Sequence, residues 1–360
     1  MGVLQSSTEY YKRTAGGQTI YPVANYTVYA GEDGDLGRTT RFEYTFVADS
    51  IQVKTRTTIQ PPVIVSQNGR AEDADDTANA DTTVEYYNAY GQVIFEKDAE
   101  GYINYTGYDL GTGAVLRMIR DVDTSQTSTF LPADTVPDGL SSLQGTRLHL
   151  ITEIGVDDFG RTTRVGDPSG RVTHIVYKDL EDGREVWTYP GWHETETSGT
   201  YTTTGPVLIT RENWAYGYSE SLSIAPPLVS GNVPTGDEAI SAANILSLSR
   251  SHQNTGGQTV KDERFFNLTA YASDPEDMEG SALVSGYSYN RRGWLKRIEG
   301  PDGTIQRMLY DVFGQQVSTW MGTDDAVPAS TSWASSNSGG MAMVGSNTYN
   351  ADGNLVESVS

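Results

Sequence analysis

Apolar and polar positions in this chain alternate over short runs, and glycines cut the runs at a fixed spacing. Thr304 to Leu309 alternates as a strand does. Trp294 to Ile298 is a second strand-like run, and Gly300-Pro301-Asp302-Gly303 between them has turn composition. A period-2 pattern of this length predicts half-buried strands. The arrangement recurs. Gly91, Gly101 and Tyr108 form one copy, Gly160, Gly170 and Tyr177 a second, and Gly293, Gly303 and Tyr310 a third. In each, the second Gly follows the first by 10 residues and the aromatic follows by 7 more. An anchor (Tyr87, Val156, Tyr289) precedes the first Gly by four residues, with Asn88, Asp157 or Asn290 directly after it. The anchor-to-anchor period is 21 residues each time: 87 to 108, 156 to 177 and 289 to 310. A fixed period of this size marks a repeat architecture.

Each unit therefore predicts two short strands and two turns. At the Asx-x-x-Gly turn the Asx side chain bonds its own backbone two residues on, and the Gly supplies a positive φ. Asn88, Asp109, Asp157, Asn290, Asp311 and Asn350 serve as turn formers, with Gly314 closing the turn after Tyr310. A lone hairpin is not stable in water, so the units must pair sideways into a larger sheet. The expected fold is all-β: short antiparallel strands and tight turns building a long curved or spiralling sheet. One short helix is expected near 237–246, with Asp237 as N-cap and Ile240, Ala243 and Ile245 on one side.

The chain divides on this reading into four parts. Residues 1–82 are a degenerate β-segment ending in an acidic loop. Residues 83–189 are a repeat segment, residues 190–245 an irregular aromatic-rich insertion, and residues 246–360 a second repeat segment. Because a fresh repeat starts at Tyr349-Asn350, the chain is expected to be a piece of a longer polypeptide.

Composition sharpens the class. The 360 residues include 38 Gly and 22 Tyr against only 8 Phe, which suits a sheet with wet aromatic anchors. There are no Cys residues, so disulfides and thiolate chemistry are excluded. A net charge of -22, from 25 basic and 47 acidic residues, argues against nucleic-acid partners. No run of about 20 apolar residues predicts a membrane-spanning helix.

Candidate chemistry is sparse. The His residues, His149, His174, His193 and His252, lie in no zinc-helix or nucleophile-elbow pattern. The acidic pairs Asp157-Asp158, Glu276-Asp277 and Asp324-Asp325 sit where turns already favour Asp. No Ca²⁺-loop spacing occurs, and the residues predict no metal, no cofactor and no catalytic group. Trp192, Tyr201, Trp214 and Tyr216, with Tyr218, form either an aromatic platform for sugar or peptide or the packing of a twisted sheet.

The pattern Tyr-Asp/Asn-x-x-Gly, followed by Asp/Pro-x-Gly and a second Tyr-Asp, resembles that of the YD-repeat, or RHS-repeat, family. The clearest matches are Val156 to Tyr177 and Tyr289 to Gly314, and clear repeats cover a third to a half of the chain. The resemblance implies a sheet that spirals into a hollow shell, as in large bacterial YD-repeat proteins. It implies a secreted or cell-surface setting and a non-catalytic scaffold that encloses or presents another domain, such as a C-terminal effector. The self-cleaving core domain that closes such shells has no match here, so no catalytic residue carries over. Two alternatives remain: a self-assembling extracellular adhesion or filament module that meets neighbouring copies, and a carbohydrate-binding module using the Trp/Tyr-rich stretch 187–218.

Overall fold

The structure is a computed structural model. It describes residues 5–29, 37–64, 66, 77–143, 147–193, 201–229, 231–272, 278, 280–326 and 340–359. The acidic stretch 67–76, the run 32–35, the pair 276–277 and Trp333 lie outside these residues. The chain divides into two compact units, Met1–Arg171 and Val172–Ser360.

The first unit contains β1 (Ser6–Tyr10), β2 (Arg13–Ala15), β3 (Gln18–Ile20), β4 (Val23–Tyr29), β5 (Gly37–Phe46) and β6 (Val53–Ile59). It continues with β7 (Thr82–Tyr87), β8 (Val93–Lys97), β9 (Ile103–Tyr108), β10 (Val115–Arg120), β11 (Leu150–Val156) and β12 (Thr162–Gly166). β2 and β3 make a separate hairpin. β1 pairs with β4, and from β4 to β12 every strand pairs antiparallel with the next.

The second unit contains β13 (Val172–Leu180), β14 (Gly183–Trp192), β15 (Val207–Asn213), β16 (Tyr218–Ile224), β17 (Ile245–Gln253) and β18 (Thr259–Phe265). Then come β19 (Ala282–Tyr289), β20 (Leu295–Glu299), β21 (Ile305–Tyr310), β22 (Gln316–Asp324), β23 (Gly340–Tyr349) and β24 (Leu355–Val359). It too is a meander of consecutive antiparallel pairs.

In a meander, alternate connections fall on the same edge of the sheet. The two edges differ sharply. In the second unit one edge carries only the connections 181–182, 214–217, 254–258, 290–294, 311–315 and 350–354. The other carries 193–206, 225–244, 266–281, 300–304 and 325–339. The first unit repeats the rule, with 47–52, 88–92, 109–114 and 157–161 on one edge and the long segments 60–81 and 121–149 on the other. Its one exception is the connection 11–22, which holds the small hairpin.

The long connections make the cores. In the first unit Val122, Phe130 and Leu140 fold over Phe95, Ile103, Tyr105 and Ile119. In the second, Val229, Ile240, Leu268, Tyr271 and Met278 cover a face built from Trp187, Tyr189, Val207, Ile209, Leu222, Ile224 and Leu248. Burial of large side chains on one sheet face is what makes a single sheet stable in water. Strand residues there alternate cleanly: Val207 and Ile209 are buried while Leu208 is half exposed.

The helix expected near 237–246 is not present. Residues 237–240 are irregular, a turn spans 242–244, and β17 begins at Ile245. Side-chain bonding outcompetes the helix. The Asn244 Oδ1 accepts the Ser241 N–H at 2.8 Å, and its Nδ2 donates to the Ala239 carbonyl at 2.7 Å. Asp237, the expected cap, instead binds Lys178 at 2.7 Å. Asn and Ser favour such local alternatives to helical bonds. Within 190–245, β15 and β16 are regular strands; charged Arg211 and Glu220 on the inward face and apolar Leu208 on the outer one break the simple alternation.

Candidate functional site

The repeat residues assemble one turn geometry over and over. The turns that start at Asn88, Asp157, Asp167, Asn254, Asn290, Asp311 and Asn350 are alike. In each, the N–H of the Gly three residues on donates to the Asx carbonyl at 2.9–3.3 Å. The Asx N–H donates to the carbonyl four residues on at 2.9–3.0 Å. The Asx Oδ1 accepts the N–H groups two and four residues on at 2.8–3.1 Å. Gly91, Gly160, Gly170, Gly293 and Gly314 all have positive φ, as a three-residue hairpin loop closed by a left-handed Gly requires. The register slips at the anchor before these turns, as between Tyr86 and Tyr87 or Ser288 and Tyr289, which is a bulge that adds twist.

Three turns vary the theme. At Gly101 the Asp98 Oδ1 accepts only the Tyr102 N–H, at 2.8 Å. At Gly303 the first position is Gly300, and Asp302 supplies the side chain by accepting the Thr304 N–H at 3.0 Å. At Asp109 the extra residue lets Oδ2 gather the Gly111 and Thr112 N–H groups. At Asp109 and Asp167 these donors hold the carboxylate low. Hydrogen bonds from the Ser169 hydroxyl and the Arg171 N–H keep Asp167 below the usual carboxylate range.

The anchors stitch one turn to the next. The Tyr108 hydroxyl donates to the Val93 carbonyl at 3.1 Å, Tyr289 to Thr259 at 2.8 Å, Tyr310 to Leu295 at 2.7 Å and Tyr349 to Gln316 at 3.2 Å. Each acceptor opens the preceding strand, beside the previous tight turn. A second stitch runs forward. The Gln92 Nε2 donates to the Gly113 carbonyl at 3.2 Å, Gln258 to Gly293 at 2.8 Å and Gln315 to Gly353 at 2.9 Å. Two anchors differ. Tyr87 donates to the Glu85 carboxylate at 2.6 Å, and burial together with that bond pushes its hydroxyl pKa up. Tyr177 lies inside β13 opposite Val186, because that strand runs on to Leu180 before turning.

A row of alternating charge crosses the second unit, and the repeat spacing did not reveal it. Glu185, Arg211, Glu220, Arg250 and Glu263 stand directly opposite one another on β14 to β18. The Arg211 Nε is 2.8 Å from Glu185 and its Nη1 3.3 Å from Glu220; the Arg250 Nη2 is 3.1 Å from Glu220. Arg211 also donates to the Tyr271 hydroxyl at 2.6 Å, which ties the covering segment to the row. Glu220 is 3% exposed and Arg250 7%. Each charge sits two positions from a core residue (Trp187, Ile209, Leu222, Leu248, Phe265), so period-2 reading of all five strands was the signal available. The opposite face of β16 and β17 holds small polar pairs, among them Ser223 and Ser247 with their hydroxyls 2.7 Å apart.

The four aromatic candidates do not converge. Trp192 is buried, stacks on Tyr201 with ring centroids 6.3 Å apart, and donates its indole N–H to the Asn232 carbonyl. Trp214 and Tyr216 are exposed in the 214–217 hairpin, where Tyr216 stacks on Tyr218. The hairpin joins β15 at Asn213, opposite Gly183, so Trp214 and Trp192 lie near opposite ends of β14, roughly 30 Å apart at ~3.3 Å per residue. Among the described residues no group of three or more His, Asp or Glu side chains is placed to hold a metal ion. Among them, too, no helix is long and apolar enough to cross a membrane.

No protein-family model matches the chain, and no curated protein matches it. Solved structures do. The chain is similar to the crystal structure of TcdB2-TccC3-Cdc42, at 13% identity over 98% of this chain and 19% of that one, with a TM-score of 0.35. It is similar to TcdB2-TccC3 without its hypervariable C-terminal region, at 13% identity over 98% and 20%, TM-score 0.26. It is also similar to a Photorhabdus luminescens Tc holotoxin pore, at 13% identity over 98% and 20%, TM-score 0.23. The chain spans about a fifth of the length of these matches, and at TM-scores this low the likeness says nothing about function.

Proposed function

We propose that this chain is a wall segment of a larger β-sheet shell of YD-repeat type, with no catalysis of its own, enclosing or presenting another domain. The observation that supports this reading is the stitched turn edge. The Asx and Gly residues shape the turns, and the anchors Tyr108, Tyr289, Tyr310 and Tyr349 join one hairpin to the next, which is what a long sheet needs and what an active site does not. Apart from the 11–22 connection, the long connections lie on the other edge, where they cover one sheet face. A secreted or cell-surface setting, and partners drawn from other segments of the same chain or an enclosed effector, go with this reading. Cryo-EM of the parent protein tests it. A hollow β-rich wall into which these strands continue is expected; a solid particle with this segment as an isolated domain would sink the proposal.

A further inference from the structure

At the end of the ionic row the sheet surface opens into a cleft of about 380 Å³, lined by Tyr216, Tyr218, Arg250, His252, Lys261 and Glu263, with Phe265 and Met278 behind. We propose that this cleft binds a saccharide residue, a role beyond that of a structural wall. Three observations carry it. First, the entrance is an aromatic ledge. Tyr216 is 62% exposed and lies over Tyr218 with ring centroids 6.5 Å apart and planes 25° apart. The ledge is fixed from behind, since the Arg250 guanidinium sits 4.4 Å from the Tyr218 ring centre and His252 5.5 Å from it. A rigid aromatic face takes the C–H side of a pyranose ring.

Second, the polar wall both donates and accepts. The Glu263 carboxylate lies 2.8 Å from the His252 Nε2 and 2.6 Å from the Lys261 Nζ. Such a carboxylate has lone pairs left to accept from a hydroxyl, and the lysine has N–H groups left to donate to one. Sugar hydroxyls do both. Third, the charges cancel. Arg250 is committed to Glu220 at 3.1 Å and Lys261 to Glu263, so the cleft offers neither an anion nor a cation an unbalanced partner. A neutral ligand with one apolar face and several hydroxyls is what remains. The cleft shares Tyr216 with the aromatic set expected from sequence but none of Trp192, Tyr201 or Trp214.

Saturation-transfer difference NMR on the intact chain, with the methyl glycosides of glucose, galactose, mannose and N-acetylglucosamine at millimolar concentration, tests the site. At least one probe is expected to give transfer to its ring protons. Tyr216→Ala, at an exposed hairpin where the fold does not depend on it, is expected to weaken that binding by about tenfold. Glu263→Gln is expected to weaken it as well. Absence of transfer from all four probes overturns the proposal. So does transfer undiminished by Tyr216→Ala, or a response to acetate or phosphate in place of the sugars.

Discussion

The Tyr310 hydroxyl donates a 2.7 Å hydrogen bond to the carbonyl of Leu295, the residue that follows the previous tight turn. Residue 310 closes one repeat and residue 295 opens the strand before it, so this bond locks consecutive turns at a fixed separation. Tyr310→Phe keeps the ring, which packs on Trp294 at 5.4 Å, and removes only the bond. The expected loss is about 1 kcal/mol, more if the Leu295 carbonyl is left without water. Urea unfolding midpoints measure it, and amide exchange faster around Leu295 than at β14 would place the loss locally.

Two glycines of successive turns separate backbone strain from contact. Gly303 and Gly314 both have positive φ, +79° and +92°. A Cβ at Gly303 would meet nothing within 4 Å, whereas one at Gly314 would come 2.6 Å from the Trp294 ring. Gly303→Ala should therefore cost only the left-handed penalty, roughly 1–2 kcal/mol. Gly314→Ala should cost clearly more and shift Trp294 fluorescence, which Gly303→Ala leaves unchanged. Equal costs would mean that the ring moves aside freely.

Much of this was legible from the chain itself. The Asx-x-x-Gly turns were readable because their chemistry is local: Asn290 bonds Arg292 and Trp294, all within five residues. The pairing of strands followed, since a tight turn dictates an antiparallel neighbour. The charge row was not legible in the same way. Glu185 and Glu263 belong to one row only because three strands and two long connections intervene, and no spacing in the sequence encodes that distance. The failed helix has the same origin, because Asp237 is claimed by Lys178 on β13, far away along the chain.

In the first unit His149 sets a pH dependence. The Asp123 N–H donates to its Nδ1 at 3.0 Å, and the Thr129 hydroxyl, which donates to the Gln126 carbonyl, lies 3.0 Å from its Nε2. The neutral ring with its proton on Nε2 satisfies all of these; a charged ring would set Nδ1–H against the Asp123 N–H. Burial lowers the His149 pKa from 6.5, with Asp123 and Asp121 opposing. Because the folded value lies below the unfolded one, the unfolded state takes the proton first. The contribution is full above about pH 6.5 and is lost as pH falls below it. Thermal unfolding followed through Phe130 and its neighbours should show a midpoint that drops between pH 7 and pH 5, and His149→Gln should flatten that slope.

Breaking the charge row should cost more than any turn substitution. Arg211 faces Glu185 on one side and Glu220 on the other, and it holds the Tyr271 hydroxyl of the covering segment. Arg211→Met fills similar space but leaves the 2%-exposed Glu220 side chain with Arg250 and removes the cation from Glu185, which keeps the Trp187 indole N–H at 3.0 Å. Removing one partner of a buried ionic network costs about 3–5 kcal/mol. The same substitution frees the covering segment, so Tyr271 should become accessible to iodination before the chain unfolds globally. Glu212→Gln, on the opposite face of the same strand, should stay within about 0.5 kcal/mol of the parent. If both variants unfold at the same urea concentration, the row adds nothing to stability, and its alternation across β14 to β18 would then serve only to fix strand register.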